Sequence, residues 1–122
     1  MPPHPGLTNL ERQEVRSAIV AELARAEEQS AALSRQFDDI VEAAESANTD
    51  DEHDPEGMTI AYERSQVSAL LTQSLRDVAA LQLTLAGVDA QDFGACEQCA
   101  QPIGVERLIA VPATHRCVEC AR

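Results

Sequence analysis

Two close pairs of cysteines near one end of the chain constrain its fold more than any other feature of the sequence. Cys96-x2-Cys99 and Cys117-x2-Cys120 are separated by seventeen residues. Two residues between paired cysteines allow one tight turn to direct both sulfurs at a single ion. The stretch between the pairs is long enough to bring the second turn opposite the first. The spacing therefore predicts a tetrahedral Zn(Cys)4 site with Cys96, Cys99, Cys117 and Cys120 as its ligands.

Two other uses of the same cysteines are less consistent with the sequence. Disulfide scaffolds belong to oxidising compartments, and residues 1–6 show no basic segment followed by an apolar run that would predict export. A redox Cys-x-x-Cys is expected near a βαβ pattern, and no upstream segment reads as a strand. Four thiolates also leave no open coordination position, so we expect one structural Zn²⁺ and no enzymatic activity. Since no export signal is seen, we expect the protein to be cytoplasmic.

The first long segment has the pattern of a helix that packs along one stripe. Thr8 and Glu11 fit a capping box at its start, and neither Gly nor Pro interrupts the chain from there to about Ala47. Residues on the expected stripe recur at alternating steps of four and three, whereas charged residues such as Glu27 lie off it. An ordinary amphipathic helix would predict the same packing. The stripe consists of Ile19, Leu23, Ala26, Ser30, Leu33, Phe37, Ile40, Ala44 and Ala47.

A second helix with the same stepping is expected after the acidic segment 49–57. Asp54 and Pro55 suit a helix start, and Gly87 is placed to cap the helix end. Its stripe contains Ile60, Val67, Leu71, Val78, Leu81 and Leu85, with Arg64 and Ser74 in the gaps. We therefore predict a mostly α fold, with a flexible lead over 1–7, an antiparallel coiled-coil hairpin over 8–91 and a zinc finger over 92–122.

Charge and composition exclude two classes of function. The net charge is −12 and the chain has no Lys, so a polyanion would be repelled and direct nucleic-acid binding is not expected. No run approaches the roughly 20 apolar residues that span a bilayer, so no membrane association is expected either.

The densest group of acidic residues falls where the two helices should be joined. One interpretation is a solvated turn in which Asp54 caps the second helix. That role leaves the crowding of Asp50, Asp51 and Glu52 unexplained, because like charges repel. A second interpretation is an acidic probe at the end of a stiff arm, directed at a basic surface or a metal ion. His53 is interpreted as a solvent-facing turn residue.

The finger resembles that of the DksA/TraR family of C4-type zinc-finger transcription regulators. The resemblance covers roughly residues 35–122 and is most specific in four segments: Asp92-Phe93-Gly94 leading into Cys96, Ile103-Gly104 with Arg107-Leu108, Ala110-x-Pro112, and the final cysteine pair. It implies a protein that binds RNA polymerase, inserts its hairpin into the secondary channel and places acidic tip residues near the catalytic centre.

The resemblance also assigns roles to particular residues. Asp51 and Asp54 match the two acids of the family's Asp-x-x-Asp-x-Ala tip, whereas Glu56 stands where the pattern has Ala. Members that respond to guanosine tetraphosphate carry basic residues where this chain has Val111 and Ala121, so a weak or absent response is predicted.

A second class of function remains open from the sequence. The chain could be a non-catalytic coiled-coil adaptor or structural zinc-binding protein without polymerase action. Arg12 and Arg16 would then be candidates for contacts along the helix flank, although solvated helix charges explain them as well. His115, two residues before Cys117, is interpreted as a surface residue of the finger.

Overall fold

Two long helices and two short ones make up the described part of the protein. The computed structural model describes residues 6–46 and 55–122. Helix α1 spans Asn9–Ser46, α2 spans Pro55–Ala86, α3 spans Val105–Ala110 and α4 spans Val118–Ala121. Over those residues the β structure consists of an isolated antiparallel bridge between Ala95 and Pro102. The predicted mostly α fold, a helical hairpin followed by a C-terminal four-cysteine cluster, is confirmed.

The helix boundaries follow from local signals in the sequence. The Thr8 backbone N–H donates to Glu11 Oε1 at 2.9 Å, and the Glu11 N–H donates to Thr8 Oγ1 at 3.1 Å, which completes the predicted capping box. Helix α2 begins at Pro55, whose missing N–H costs nothing in the first turn. It ends at Ala86, one residue before Gly87 as predicted. The φ angle of Gly87 is not positive, so the usual left-handed glycine cap does not form.

Both predicted stripes lie on the less exposed sides of their helices. Every described member of the α1 stripe is buried or half-buried, and Ala47 lies outside the described residues. The apolar members of the α2 stripe and Ser74 are likewise buried or half-buried, whereas Arg64 is exposed. Arg64 is therefore a gap in the stripe, where a long charged side chain remains in water.

The described residues divide into two compact units. Unit 1 takes the described residues of Met1–Arg25 together with Asp77–Arg122, and unit 2 takes those of Ala26–Arg76. The finger thus belongs to one unit with the start of α1 and the end of α2. The predicted domain boundary between residues 91 and 92 stays a prediction. No described helix is long and apolar enough to cross a membrane.

Unit 1 has a small apolar core to which the finger contributes. Its most buried side chains include Val15, Ile19, Val88 and Leu108, each at most 1 % exposed. Leu7, in the predicted lead, lies beside the finger, because a β-carbon built on Gly94 would stand 3.5 Å from Leu7 Cγ. The remainder of that lead, residues 1–5, lies outside the described residues.

In unit 2 the two long helices share a buried polar contact. Ser30 and Ser74 are 7 % and 4 % exposed, and their hydroxyl oxygens lie 2.7 Å apart. Each hydroxyl thereby satisfies the other, and the other most buried residues of unit 2 are the apolar Ala26 and Val67. Because both partners are buried, removal of either one leaves the other without its hydrogen bond.

This pair gives a prediction for stability. We expect Ser30→Ala or Ser74→Ala alone to lower the free energy of unfolding by about 1 kcal/mol or more, because one buried hydroxyl loses its partner. The double variant should recover most of that loss, since both polar groups are removed and Ala favours helix. Urea unfolding of the zinc-loaded protein measures the three variants against Ser34→Ala, an exposed serine of α1. Additive losses in the double variant would contradict the coupling.

Candidate metal centre

The first cysteine pair lies on a tight turn closed by backbone hydrogen bonds. The Cys96 N–H donates to the Gln101 carbonyl at 2.8 Å, and the Ile103 N–H donates to the Gly94 carbonyl at 2.8 Å. The Ala100 N–H donates to the Cys96 carbonyl at 2.9 Å, and Ala100 takes a positive φ of 65° to complete the turn. These bonds place the side chains of Cys96 and Cys99 on the same side of the turn.

Gly94, just before this turn, is required by its backbone and by its surroundings. Its φ is 95°, a region that L side chains rarely adopt. A β-carbon there would lie 3.5 Å from Leu7 Cγ and 3.7 Å from Leu108 Cδ1, which is ordinary contact. The backbone conformation, more than the space, therefore accounts for the glycine.

The second cysteine pair begins the last short helix and is joined to the first turn. Cys117 precedes α4, and its carbonyl accepts the Ala121 N–H at 3.0 Å. The Glu97 N–H donates to the His115 carbonyl at 2.9 Å, and Arg116 Nε donates to Glu97 Oε1 at 3.0 Å. These two contacts hold the residues next to Cys96 against the residues that lead into Cys117.

The four sulfurs converge on one point. The sulfur atoms of Cys96, Cys99, Cys117 and Cys120 all lie within 4.8 Å of one another. The separation between Cys99 Sγ and Cys117 Sγ is 3.7 Å. Tetrahedral zinc with Zn–S bonds of about 2.3 Å requires sulfurs about 3.8 Å apart, whereas a disulfide requires about 2.0 Å. The donor set and its spacing therefore fit one zinc ion.

The electrostatics of the metal-free thiols explain why a cation suits the site. A hydrogen bond from the Cys117 backbone, aided by the Cys99 and Gln98 backbones against the effect of burial, lowers the pKa of Cys96 to about 6. Hydrogen bonding with the Cys117 and Cys99 thiols, with burial, raises the pKa of Cys120 to about 12. The Gln101 backbone lowers the pKa of Cys99, but burial and the neighbouring thiols outweigh it, so the net change is upward. One thiolate is favoured and its neighbours resist ionisation, which a divalent cation reverses.

The closed ligand set points to a structural role for the metal. Cys96 is 3 % exposed, Cys117 and Cys120 are half-buried, and Cys99 is exposed. Four thiolates fill a tetrahedral shell and leave no position for a reacting water. The ion would supply cross-linking of the two turns, and the chain's own residues supply the fold around it.

His115 is a surface residue of the finger, as predicted. Its side chain is exposed and it is not among the side chains that converge on the metal site. Its Nε2 lies 3.4 Å from Thr84 Oγ1, a buried hydroxyl near the end of α2 that also donates to the Ala80 carbonyl at 2.8 Å. Between this helix end and the finger lies a cavity of about 500 Å³, lined also by Leu83 and Phe93.

The contacts of Arg12 and Arg16 differ from both interpretations of the sequence, which were binding to a partner along the helix flank and exposure to solvent. Arg12 donates to the carbonyls of Val88 and Ala90, the latter at 3.2 Å, and Arg16 pairs with Asp89. They thus connect the start of α1 with the segment that leads from α2 into the finger. The partners lie 73 to 78 residues away, which no local sequence pattern could have indicated.

The predicted tip falls largely outside the described residues. Asp51, His53 and Asp54 lie in the undescribed segment 47–54. Glu56 is in the first turn of α2, and only its backbone is described. Their assignment to a tip stays a prediction.

Comparison with known proteins identifies the type of finger. Residues 91–122 match the family model described as the prokaryotic dksA/traR C4-type zinc finger. These residues form a finger of the dksA/traR type. The predicted resemblance is thereby confirmed, as is the expected single structural zinc ion.

Similar proteins share the finger sequence and the fold. The RNA polymerase-binding transcription factor DksA of Escherichia coli K12 is 42 % identical over 40 residues, or 33 % of this chain and 26 % of that protein. The DksA of Haemophilus influenzae is 40 % identical over 40 residues, or 33 % and 28 %. The matches thus span about a quarter of these relatives' length. The structure of transcription factor DksA2 from Pseudomonas aeruginosa matches with a TM-score of 0.76 over 93 % of this chain and 81 % of that chain, and at 18 % identity it shows the fold.

The thiol pKa values predict how zinc binding to the dksA/traR finger depends on pH. Cys99 and Cys120 hold protons at neutral pH in the metal-free protein, so zinc binding must displace at least these two. We expect the apparent affinity to rise about 100-fold per pH unit between pH 6.5 and 8. Below about pH 6 the thiol of Cys96 also protonates, and the dependence steepens.

Competition with a chromophoric chelator of known acid–base behaviour measures this dependence. After correction for the chelator's own protonation, a slope below one decade per pH unit would contradict the assignment of protonated thiols. Calorimetry in two buffers with different ionisation enthalpies counts the released protons independently.

Proposed function

We propose that the protein is a non-enzymatic transcription factor of the cytoplasm that binds RNA polymerase through the polymerase's secondary channel. The hairpin carries Asp51, Asp54 and Glu56 towards the catalytic centre. Cys96, Cys99, Cys117 and Cys120 hold the structural zinc ion that stabilises the finger.

The observation that carries this proposal is the combination of finger and hairpin in one chain. The finger matches the dksA/traR C4 type, and the curated relatives matched there are named as RNA polymerase-binding transcription factors. The fold of a DksA2 extends over 93 % of the chain, well beyond the segment that the sequence comparisons cover. Both parts that such a factor combines are therefore supported.

The charge distribution supports the same proposal. The segment between α1 and α2 contains Asp50, Asp51, Glu52 and Asp54 within five residues, and Pro55 then begins α2. Four carboxylates so close in sequence would favour a basic or metal-bearing site, whereas the net charge of −12 disfavours binding to nucleic acid. The secondary channel of a polymerase would offer such a site, because the carboxylates would contact protein there and not the phosphates of nucleic acid.

The proposed tip gives a test of function. We expect Asp51→Asn/Asp54→Asn to retain binding to the cognate RNA polymerase and to lose most of the effect on transcription, because the carboxylates act only at the catalytic centre. Co-purification measures binding, and multi-round transcription in vitro measures the effect. The matched control is Asp38→Asn/Asp39→Asn, which removes two exposed acids of α1. An unaltered transcription effect in the tip variant, or an equal loss in the control, would reject the tip assignment.

A coiled-coil adaptor is the alternative function, and exposed apolar side chains of α2 favour it. Met58, Tyr62 and Leu70 are 78 %, 65 % and 57 % exposed in unit 2. An adaptor would bind its partner through such a flank and would not co-purify with polymerase. Tyr62→Ser would then abolish partner binding, whereas the tip variant would not affect it.

The finger also gives a prediction about nucleotide response. Val111 and Ala121 are exposed apolar residues at the positions where the resemblance places basic ones in responsive members. Two of the finger's three arginines are already engaged, since Arg107 donates to the Arg116 carbonyl and Arg116 pairs with Glu97. We therefore expect no saturable response when guanosine tetraphosphate is titrated into the polymerase complex, and a gain of response in Val111→Arg/Ala121→Lys. Saturable binding to the unmodified protein would contradict this prediction.

A further inference from the structure

A half-buried arginine in α3 makes contacts that bear on the zinc ligands without touching the metal. Arg107 Nε donates to the backbone carbonyl of Arg116 at 2.9 Å, and Arg116 immediately precedes Cys117. Its Nη2 lies 3.5 Å from Thr114 Oγ1, at the outer limit of a hydrogen bond. The planar guanidinium therefore contacts two points of the segment that delivers the second cysteine pair.

The residues contacted by Arg107 also contact each other. Thr114 Oγ1 donates to the Arg116 carbonyl at 3.1 Å and lies 3.3 Å from the Arg116 backbone nitrogen. The side chain of Arg116 then pairs with Glu97, which follows Cys96. A chain of contacts thus runs from α3 through residues 114–116 to the first cysteine turn.

Helix α3, where this series of contacts begins, is fixed by burial and by backbone hydrogen bonds. Leu108, next to Arg107, is 1 % exposed, and its N–H donates to the Gly104 carbonyl at 3.0 Å. The Arg107 carbonyl accepts the Val111 N–H at 2.7 Å. The Arg116–Glu97 pair is more than half exposed on both sides and contributes little by itself. The half-buried Arg107 is therefore the anchored member of the network.

We propose that Arg107 is a positioning residue of the zinc finger, which holds the Cys117–Cys120 turn in place opposite the Cys96–Cys99 turn. Groups that orient metal ligands without binding the metal commonly change affinity by 10- to 100-fold when removed. A guanidinium suits this role because it can donate from Nε and Nη2 to separate acceptors in a fixed geometry. The ammonium of Lys offers a single donor centre on a flexible stem.

Zinc release from the zinc-loaded 122-residue protein tests the proposal. Arg107→Leu should accelerate transfer of zinc to 4-(2-pyridylazo)resorcinol about tenfold or more. Arg107→Lys should give an intermediate rate, because it keeps the charge and one donor. Arg122→Leu is the matched control, since it removes an exposed arginine of the finger outside this network. Cobalt substitution provides a second readout, because its tetrahedral thiolate absorption bands report distortion of the ligand set.

Each outcome has a defined meaning. A wild-type release rate in Arg107→Leu, full recovery in Arg107→Lys, or an equal acceleration in Arg122→Leu would overturn the proposal. If Arg107→Leu does not fold, Thr114→Val replaces it, because this change removes the Oγ1 contacts at nearly constant volume. Thr114→Val should then accelerate release and shift the cobalt bands, and an unchanged rate would equally overturn the proposal. None of these measurements involves polymerase, so their failure is distinct from failure of the proposed function.

Discussion

Four thiols held within 4.8 Å of one another are the constraint on which the finger depends. Hydrogen bonding with the Cys117 and Cys99 thiols, with burial, raises the pKa of Cys120 to about 12, so its thiolate form is favoured only when a cation is bound. The region has little else to hold it together, since Ile103 and Leu108 are the buried aliphatic side chains that it contributes between the two cysteine pairs. Metal binding thus substitutes for the apolar burial that so short a segment cannot provide.

The finger is not an appendage of the helices in unit 1. Leu7 and Leu108 both lie beside Gly94, and Arg12 and Arg16 bond to residues 88–90. The start of α1, the end of α2 and the finger therefore share one core, in which Val15, Ile19 and Val88 are almost fully buried. Loss of the metal would therefore affect the start of α1 and the end of α2, and a change at these helix ends would affect the finger.

Short-range patterns account for most of what the sequence could predict. The Thr8–Glu11 capping box, the start of α2 at Pro55, the buried stripes and the convergence of the four cysteines each depend on spacing alone. The contacts of Arg12, Arg16 and Arg107 could not be predicted in this way, because their acceptors are backbone carbonyls or residues that only the folded chain brings near. Gly87 shows the same limit, since its position marked the helix end but its φ is not the positive value that a glycine cap would have. The tip stays a prediction for a different reason, since Asp51 and Asp54 lie outside the described residues.

The contact between Ser30 and Ser74 has a consequence for the register of the two helices in unit 2. Apolar stripes of Ala, Val and Leu tolerate sliding, because one aliphatic contact can replace another at little cost. A slide of one turn would separate the two buried hydroxyls and leave each without this hydrogen bond, so a single alignment is favoured. A hydroxyl pair of this kind therefore specifies the register of the two helices. It adds little net stability, but it determines which residues of one helix lie opposite which residues of the other.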